Sequence, residues 1–457
     1  MQRLLVARVP LSKKKTDDGC VEMTILDRRP RGMQFDVREV LTFLTSVLKG
    51  GAALRSTSAV FGIFAEYWEL ATEAPHWTTG RMWLIRLGLF KLTRLKEKAD
   101  DWIWFADHTV QIGIEKCLVV LGIRQCHLPP EGTCLALEHL EPLLIEPMPR
   151  SNSELVHQHL ESLVEQTGIP RAILNDHGSD LHGGVQRFCE RHPQTLEIYD
   201  VTHQAARLLK SQLESDEAWS QFCTHAGRTK FQTQQTELAF LVPPSQRSKA
   251  RYMNLGPIVN WGQQTLKIVE SPSEDVLKWC THERLEEKFG WLREYREPLA
   301  RWTEWLEIVT AAEQHVRRDG LTHKTAQRIR QSLTLLATRG SGVRLAGELI
   351  AFVNDQCQPL REDELLPGTT EPLECAFGKQ KSIERSPTKT GFTSLLLTLG
   401  AVVGQTTATV VDQAMQACGI KHVKAWCNEH LGTTLQSKRQ IAYTRDKMSD
   451  ETSPTDR

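Results

Sequence analysis

Several things are missing from these 457 residues, and each absence removes a class of answer. No apolar run approaches the roughly 18 residues that a membrane-spanning helix needs. The 11 cysteines are scattered, with no Cys-x-x-Cys pair and no zinc-ligand spacing, and their odd number argues against a closed disulfide framework. The first residues lack the charged, apolar and small-residue order of a secretory leader, so reduced thiols in a cytoplasmic protein are expected. Net charge is absent too, since 56 basic residues balance 56 acidic ones, which excludes a uniformly polybasic chain. What remains is 40% hydrophobic and 25% charged, the make-up of a globular protein with room for two to four domains.

The charge balance is uneven along the chain. Residues 1–100 hold 17 Lys and Arg against 11 Asp and Glu, a weak pointer to nucleic acid. Apolar periodicity there predicts three helices, over Val37–Leu48, Leu54–Leu70 and Arg81–Leu95. Three short helices with the last one basic suit a helix-turn-helix, in which Arg81, Arg86 and Lys91 would reach DNA. An ordinary helical bundle with solvated basic faces has the same pattern.

From Asp101 the texture becomes strand-like. Short β-branched and aromatic runs over 102–106, 117–123, 135–145, 171–175 and 196–200 are separated by helical segments near 155–166 and 185–191, which reads as βββαβαβ. The first and fourth strands finish apolar and then present an acid, Asp107 and Asp176. Active-site groups collect at the carboxyl ends of strands in α/β sheets. Two acids there could share a hard divalent cation such as Mg²⁺, which prefers oxygen ligands. Strand-end aspartates also simply cap turns, and Asp180 is a rival in the same loop.

Far downstream, Pro372-Leu373-Glu374-Cys375-Ala376-Phe377-Gly378-Lys379 reads as a helix with Glu374 and Lys381 on nearly one face. Taken alone that is equally a surface ion pair around a core aromatic. Together with Ile173-Leu174-Asn175-Asp176-His177-Gly178-Ser179-Asp180 and Asp200-Val201-Thr202-His203, it resembles the DDE transposases of bacterial insertion sequences. The resemblance covers roughly residues 50–430 and implies a ribonuclease-H-like mixed α/β sheet core. Asp107, Asp176 and Glu374 would be its catalytic, metal-binding triad, and Asp200 and His203 its Asp-x-x-His signature. It further implies two Mg²⁺ ions, with Mn²⁺ able to substitute, and a homodimer or larger assembly on double-stranded DNA at terminal inverted repeats and target. The implied setting is bacterial, cytoplasmic and nucleoid-associated, with no membrane.

The spacing is 69 residues from Asp107 to Asp176 and 198 from Asp176 to Glu374. The second interval is similar to family members whose core is interrupted by a helical insertion. The implied division is an N-terminal arm and DNA-binding domain (1–98), a first core part (99–203), a mainly α-helical insertion (204–370), core helices (371–435) and a disordered tail (436–457). Lys249, Arg251 and Trp261 in the insertion, and Lys379 and Lys381 after Glu374, are the further DNA-contact candidates. The Tyr and Arg that accompany this lysine in some members would fall at Pro367 and Thr370, so that fuller signature is absent. Two other functions fit the same acids less completely: a metal-dependent nuclease that does not join strands, and a non-catalytic DNA-binding derivative.

Overall fold

The computed structural model describes residues 24–67, 73–110, 115–129, 132–245, 255–384, 391–433 and 437–444. Three helices open the chain: α1 (Val37–Leu48), α2 (Leu54–Tyr67) and α3 (Trp77–Thr93). The core follows as β1 (Trp102–Val110), β2 (Lys116–Arg124), β3 (Glu141–Met148), α4 (Ser153–Thr167), β4 (Ala172–Asn175), α5 (Ser179–Arg191) and β5 (Leu196–Tyr199). The sheet order is β3-β2-β1-β4-β5, with β2 antiparallel to both of its neighbours and β1, β4 and β5 mutually parallel. This is the ribonuclease-H-like arrangement expected from βββαβαβ.

Alternation along β1 sorts the two sheet faces. Trp102, Trp104 and Ala106 pack with Leu160, Val185 and Phe188 of α4 and α5. Ile103 and Phe105 point the other way, into a core shared with α3 and the later helices. The third strand starts six residues later than its sequence pattern suggests, because Leu137–His139 forms a 3-10 turn. It carries Pro142 and Pro147, which lack an N–H to donate and are tolerated because β3 lies at the sheet edge.

The segment between β5 and the Glu374 helix is helical: α6 (Val201–Glu214), α7 (Glu217–Thr233), α8 (Leu255–Glu270), α9 (Glu274–Leu277), α10 (His282–Phe289), α11 (Arg296–Asp319), α12 (Thr325–Leu336) and α13 (Gly340–Cys357). Its tryptophans are largely core, with Trp302 and Trp305 buried against the same apolar cluster. Then come α14 (Glu371–Glu384), α15 (Thr398–Val402), α16 (Ala408–Ala417) and α17 (Ile420–Trp426). Residues 437–444, assigned by composition to a disordered tail, are helical, and Lys438 lies 3.6 Å from Glu115. No helix among the described residues is long and apolar enough to cross a membrane.

α3 links the N-terminal helices to the rest of the molecule. Ile85, Leu89 and Leu92 enter the sheet-facing core, while Trp83, Leu84 and Leu87 pack with α1 and α16. It crosses α15 at two glycines: a Cβ on Gly88 would sit 1.8 Å from the Leu397 carbonyl oxygen, and one on Gly400 would sit 2.5 Å from that of Gly88. One turn on, Lys91 is wholly buried, and its ammonium donates to the carbonyls of Ala401, Val403 and Gly404 and to Thr406 Oγ1, closing the C-terminal end of α15. Burial, with Arg94 next in importance, pulls the Lys91 pKa down to about 7.

Gly88→Ala is therefore expected to cost about 3 kcal/mol or more, since a backbone carbonyl cannot yield as a side chain can. Lys91→Met should cost at least about 2 kcal/mol by stranding buried carbonyls. Thermal unfolding of both variants checks this, and midpoints equal to that of the unmodified chain would contradict the crossing described.

Candidate active site

Asp107 does not end its strand. It lies inside β1, opposite Val119 of β2, with its side chain on the face that receives Phe105. Asp176 follows β4 directly. The parallel register pairs Phe105 with Leu174, so both acids lie two residues beyond one rung and on the same face. Backbone donors hold them: His108 N–H donates to Asp107 Oδ1 at 2.6 Å, and Gly178 N–H to Asp176 Oδ1 at 2.9 Å.

Glu374 arrives from the first turn of α14, with its side chain about half exposed. Leu373, Ala376 and Phe377 bury the opposite side of that helix. Three ties bring the preceding segment to the sheet. Arg171, just before β4, holds Glu364 in a buried two-point ion pair at 2.7 and 2.8 Å. Val201 N–H donates to the Gly368 carbonyl at 3.0 Å. Thr370 donates its N–H (2.8 Å) and hydroxyl (2.5 Å) to Asp200 Oδ2. The residue standing where a related signature would have Arg is thus the one that fastens α14 to the end of β5.

Electrostatics register the convergence. The Asp107 pKa is pushed up to about 7, first by burial and then by the Asp176 carboxylate, with a smaller push from Glu374. Partial burial raises Glu374 too, with His203 opposing and Asp200 and Glu371 adding to the rise. Among the described residues no Lys or Arg forms an ion pair with any of the three. Asp200 is buried and caps α6 through the N–H groups of Thr202 and His203. It stands 3.2 Å from His203 Nδ1, and His203 Nε2 faces Glu374 Oε1 at 4.0 Å. Asp200 is the main reason the His203 pKa rises to about 9 despite burial.

Asp180 is spent elsewhere. It lies 2.7 Å from Lys116 Nζ, and although burial works against its charge, that bond and one from Ser151 hold its pKa down to about 2. Asp176 is accordingly the acid beside Asp107.

The proposed DNA contacts divide. Lys91 is sealed inside the protein, and Arg86 gives its guanidinium to the carbonyls of Met415 and Cys418, so neither is available to a nucleic acid. Arg81 is partly exposed. Trp261 is not presented for stacking: its Nε1 donates to the Leu241 carbonyl at 2.8 Å and its ring packs near Phe222 and Trp291. Trp279, by contrast, is 64% exposed on the insertion. Lys379 and Lys381 are exposed on α14, Lys379 beside the α1–α2 connection that carries Lys49. Lys249 and Arg251 lie outside the described residues.

Sequence reading missed Glu313. It lines, with Thr202, Arg317 and Glu374, an open cleft of about 900 Å³ between α6, α8 and α11. Burial pushes its pKa up to about 7, against the pull of Arg317, which pairs with Glu371 at 2.7 Å. Only its place in an amphipathic helix was visible beforehand, and that pattern marks no acid as special.

No protein-family model matches the chain, and no curated protein matches it. Among solved structures, one titled Drosophila P element transposase strand transfer complex aligns at 11% identity and a TM-score of 0.41, over 82% of this chain and 92% of that one.

His203 binds its proton more tightly in the folded chain than in the unfolded one. Its contribution to stability is thus complete below about pH 6.5 and is lost as pH rises through about 9. Asp200→Asn should flatten that part of the profile. Denaturant unfolding of metal-free protein at pH 6 and pH 9.5 measures it, and equal pH slopes in variant and parent would refute the pairing.

Proposed function

We propose that this chain is a transposase that cuts DNA at the ends of an element and joins the freed 3′-hydroxyl to target DNA, using Asp107, Asp176 and Glu374. The observation that supports this most is the placement of Asp107 and Asp176 on one sheet face with Glu374 of α14 near enough to act on Asp107, none of the three being ion-paired to a Lys or Arg among the described residues. Crowded acids of this kind suit a hard divalent cation. The donors are all oxygen, and the Asp107 pKa, raised first by burial and then by the Asp176 carboxylate, includes a like-charge repulsion that Mg²⁺ would offset. Two Mg²⁺ ions, when bound, would supply activation of the attacking oxygen and charge stabilisation at the leaving one.

The chain's own residues do the rest. The backbone donors of His108 and Gly178 fix the carboxylate rotamers of Asp107 and Asp176. Asp200 orients His203, whose imidazolium faces Glu374 and restrains it. Lys379 and Lys381 would engage phosphates along α14, and Lys49 would extend that track past the α1–α2 connection. Arg81 with the N-terminal helices is proposed to bind terminal repeats, and a dimer is proposed because two ends must be brought together.

Duplexes taken from the inverted repeats flanking the coding sequence provide the test. Asp176→Asn should lower nicking in Mg²⁺ or Mn²⁺ by at least about 100-fold, in line with loss of a group acting on the transition state. Retention on the same duplex should be unchanged. Undiminished cleavage would sink the assignment, and cleavage without joining would identify a hydrolytic nuclease instead. Lys379→Ala and Lys381→Ala should each weaken binding and lower the salt slope by about 1. Unaltered slopes in both would remove α14 from the DNA path.

A further inference from the structure

A second group of donors lies on the loop that carries Asp176, and the triad does not use it. One ring nitrogen from each of His177 and His182 and a carboxylate oxygen of Glu197 all lie within 4.8 Å of one another. His177 comes from the turn after β4, His182 from the first turn of α5, and Glu197 from β5. Glu197 Oε1 is 2.8 Å from His182 Nδ1 and 3.3 Å from His177 Nε2.

Hydrogen bonding within the protein does not account for the whole cluster. The His182–Glu197 contact is a hydrogen bond, whereas the buried His177 Nε2 faces the same Glu197 oxygen at 3.3 Å without hydrogen-bond geometry. His177 is also held at φ +57°, a left-handed conformation that non-glycine residues seldom adopt and that surrounding structure has to enforce. Asn175 does part of this, accepting from the His177 N–H at 2.8 Å and donating to Glu197 Oε1 at 2.8 Å, so one side chain orients two of the three donors. Tyr199 stacks on the His177 ring at 3.8 Å and fixes its plane.

We infer that His177, His182 and Glu197 form a binding site for a borderline divalent ion such as Zn²⁺ or Co²⁺, separate from the all-oxygen triad. Two imidazole nitrogens and one carboxylate oxygen are the donors such ions take when three ligands come from protein and one position stays open to water. A tetrahedral ion with bonds of roughly 2.0–2.1 Å sets its ligands roughly 3.3 Å apart. The His177 ring stacks on both Tyr199 (3.8 Å) and His182 (4.0 Å), so the His182 ring has to rotate to turn both imidazole lone pairs on one ion, and Asn175 supplies an outer hydrogen bond to the Glu197 carboxylate. The side chains are 16–31% exposed, which leaves the ion a route in. An ion bound there would staple the β4–α5 turn to β5 and so steady the adjoining Asp176.

This inference does not rest on the cleavage reading, and the experiment keeps the two apart. Full-length chain carrying Asp107→Asn and Glu374→Gln, freed of metal by chelation, is titrated with Co²⁺ and followed by visible absorption. One equivalent should bind with the intense bands of a low-coordinate nitrogen-ligated site, and Zn²⁺ should displace it. Adding His182→Ala or Glu197→Gln to that background should weaken Co²⁺ binding at least about tenfold. Glu197→Gln preserves side-chain shape, and circular dichroism checks that both chains are folded. Absence of the bands in the Asp107→Asn, Glu374→Gln chain, or equal affinity in both added variants, would overturn the site whatever the outcome for DNA cleavage.

Discussion

Parallel pairing of β1 with β4 is the constraint from which the site follows. Side chains alternate along a strand, so a slip of one residue in that register would send either Asp107 or Asp176 to the face covered by α4 and α5. The register is defended by what surrounds it: Trp104 and Ile173 belong to one core, and Phe105 and Leu174 to the other. Burial on both faces leaves the pair no alternative alignment that hides its apolar groups. The third acid depends on a different device. Glu364, Gly368 and Thr370 are each fastened to residues at the ends of β4 and β5, which lets a helical insertion separate Glu374 from the sheet in sequence while α14 docks beside it in space.

Charge is arranged in two shells that oppose each other. Burial, and after it neighbouring carboxylates (Asp176 for Asp107, Asp200 and Glu371 for Glu374), make Asp107 and Glu374 reluctant anions. Asp200 works in the other direction: several donors keep it ionised despite burial, and it in turn holds His203 protonated. An imidazolium set against crowded acids moderates their repulsion without occupying the space between them. The neighbouring His177–His182–Glu197 cluster differs in donor type, nitrogen against oxygen, and shares with the triad only the turn after β4.

Basic and aromatic residues were legible in the sequence as types but not as locations. Arg86 and Lys91 sit in a helix with several basic residues, which is the usual sign of a surface. Their charges are instead consumed by carbonyls at helix ends: Arg86 by Met415 and Cys418 at the end of α16, and Lys91 by the end of α15, where α3 passes close enough for glycine to face glycine. Trp261 likewise looked available beside basic neighbours, yet its N–H is tied to Leu241 within the insertion. A linear pattern records that a side chain can donate. It does not record which buried acceptors, hundreds of residues away, need the donor.

By itself the sequence determined the strand and helix order, the helical character of the insertion, and the two short words around Asp176 and Glu374. These are local properties, set by periodicity, turn chemistry and the residues that a single element requires. Only the tertiary structure decided that Asp107 lies within its strand rather than at its end, and that Asp180 pairs with Lys116 instead of standing beside Asp107. It alone made Thr370 the fastening for α14 and brought His177, His182 and Glu197 together. Each of those outcomes depends on contacts between segments far apart in the chain, where the packing of one helix against a sheet selects among side chains that the sequence leaves equivalent.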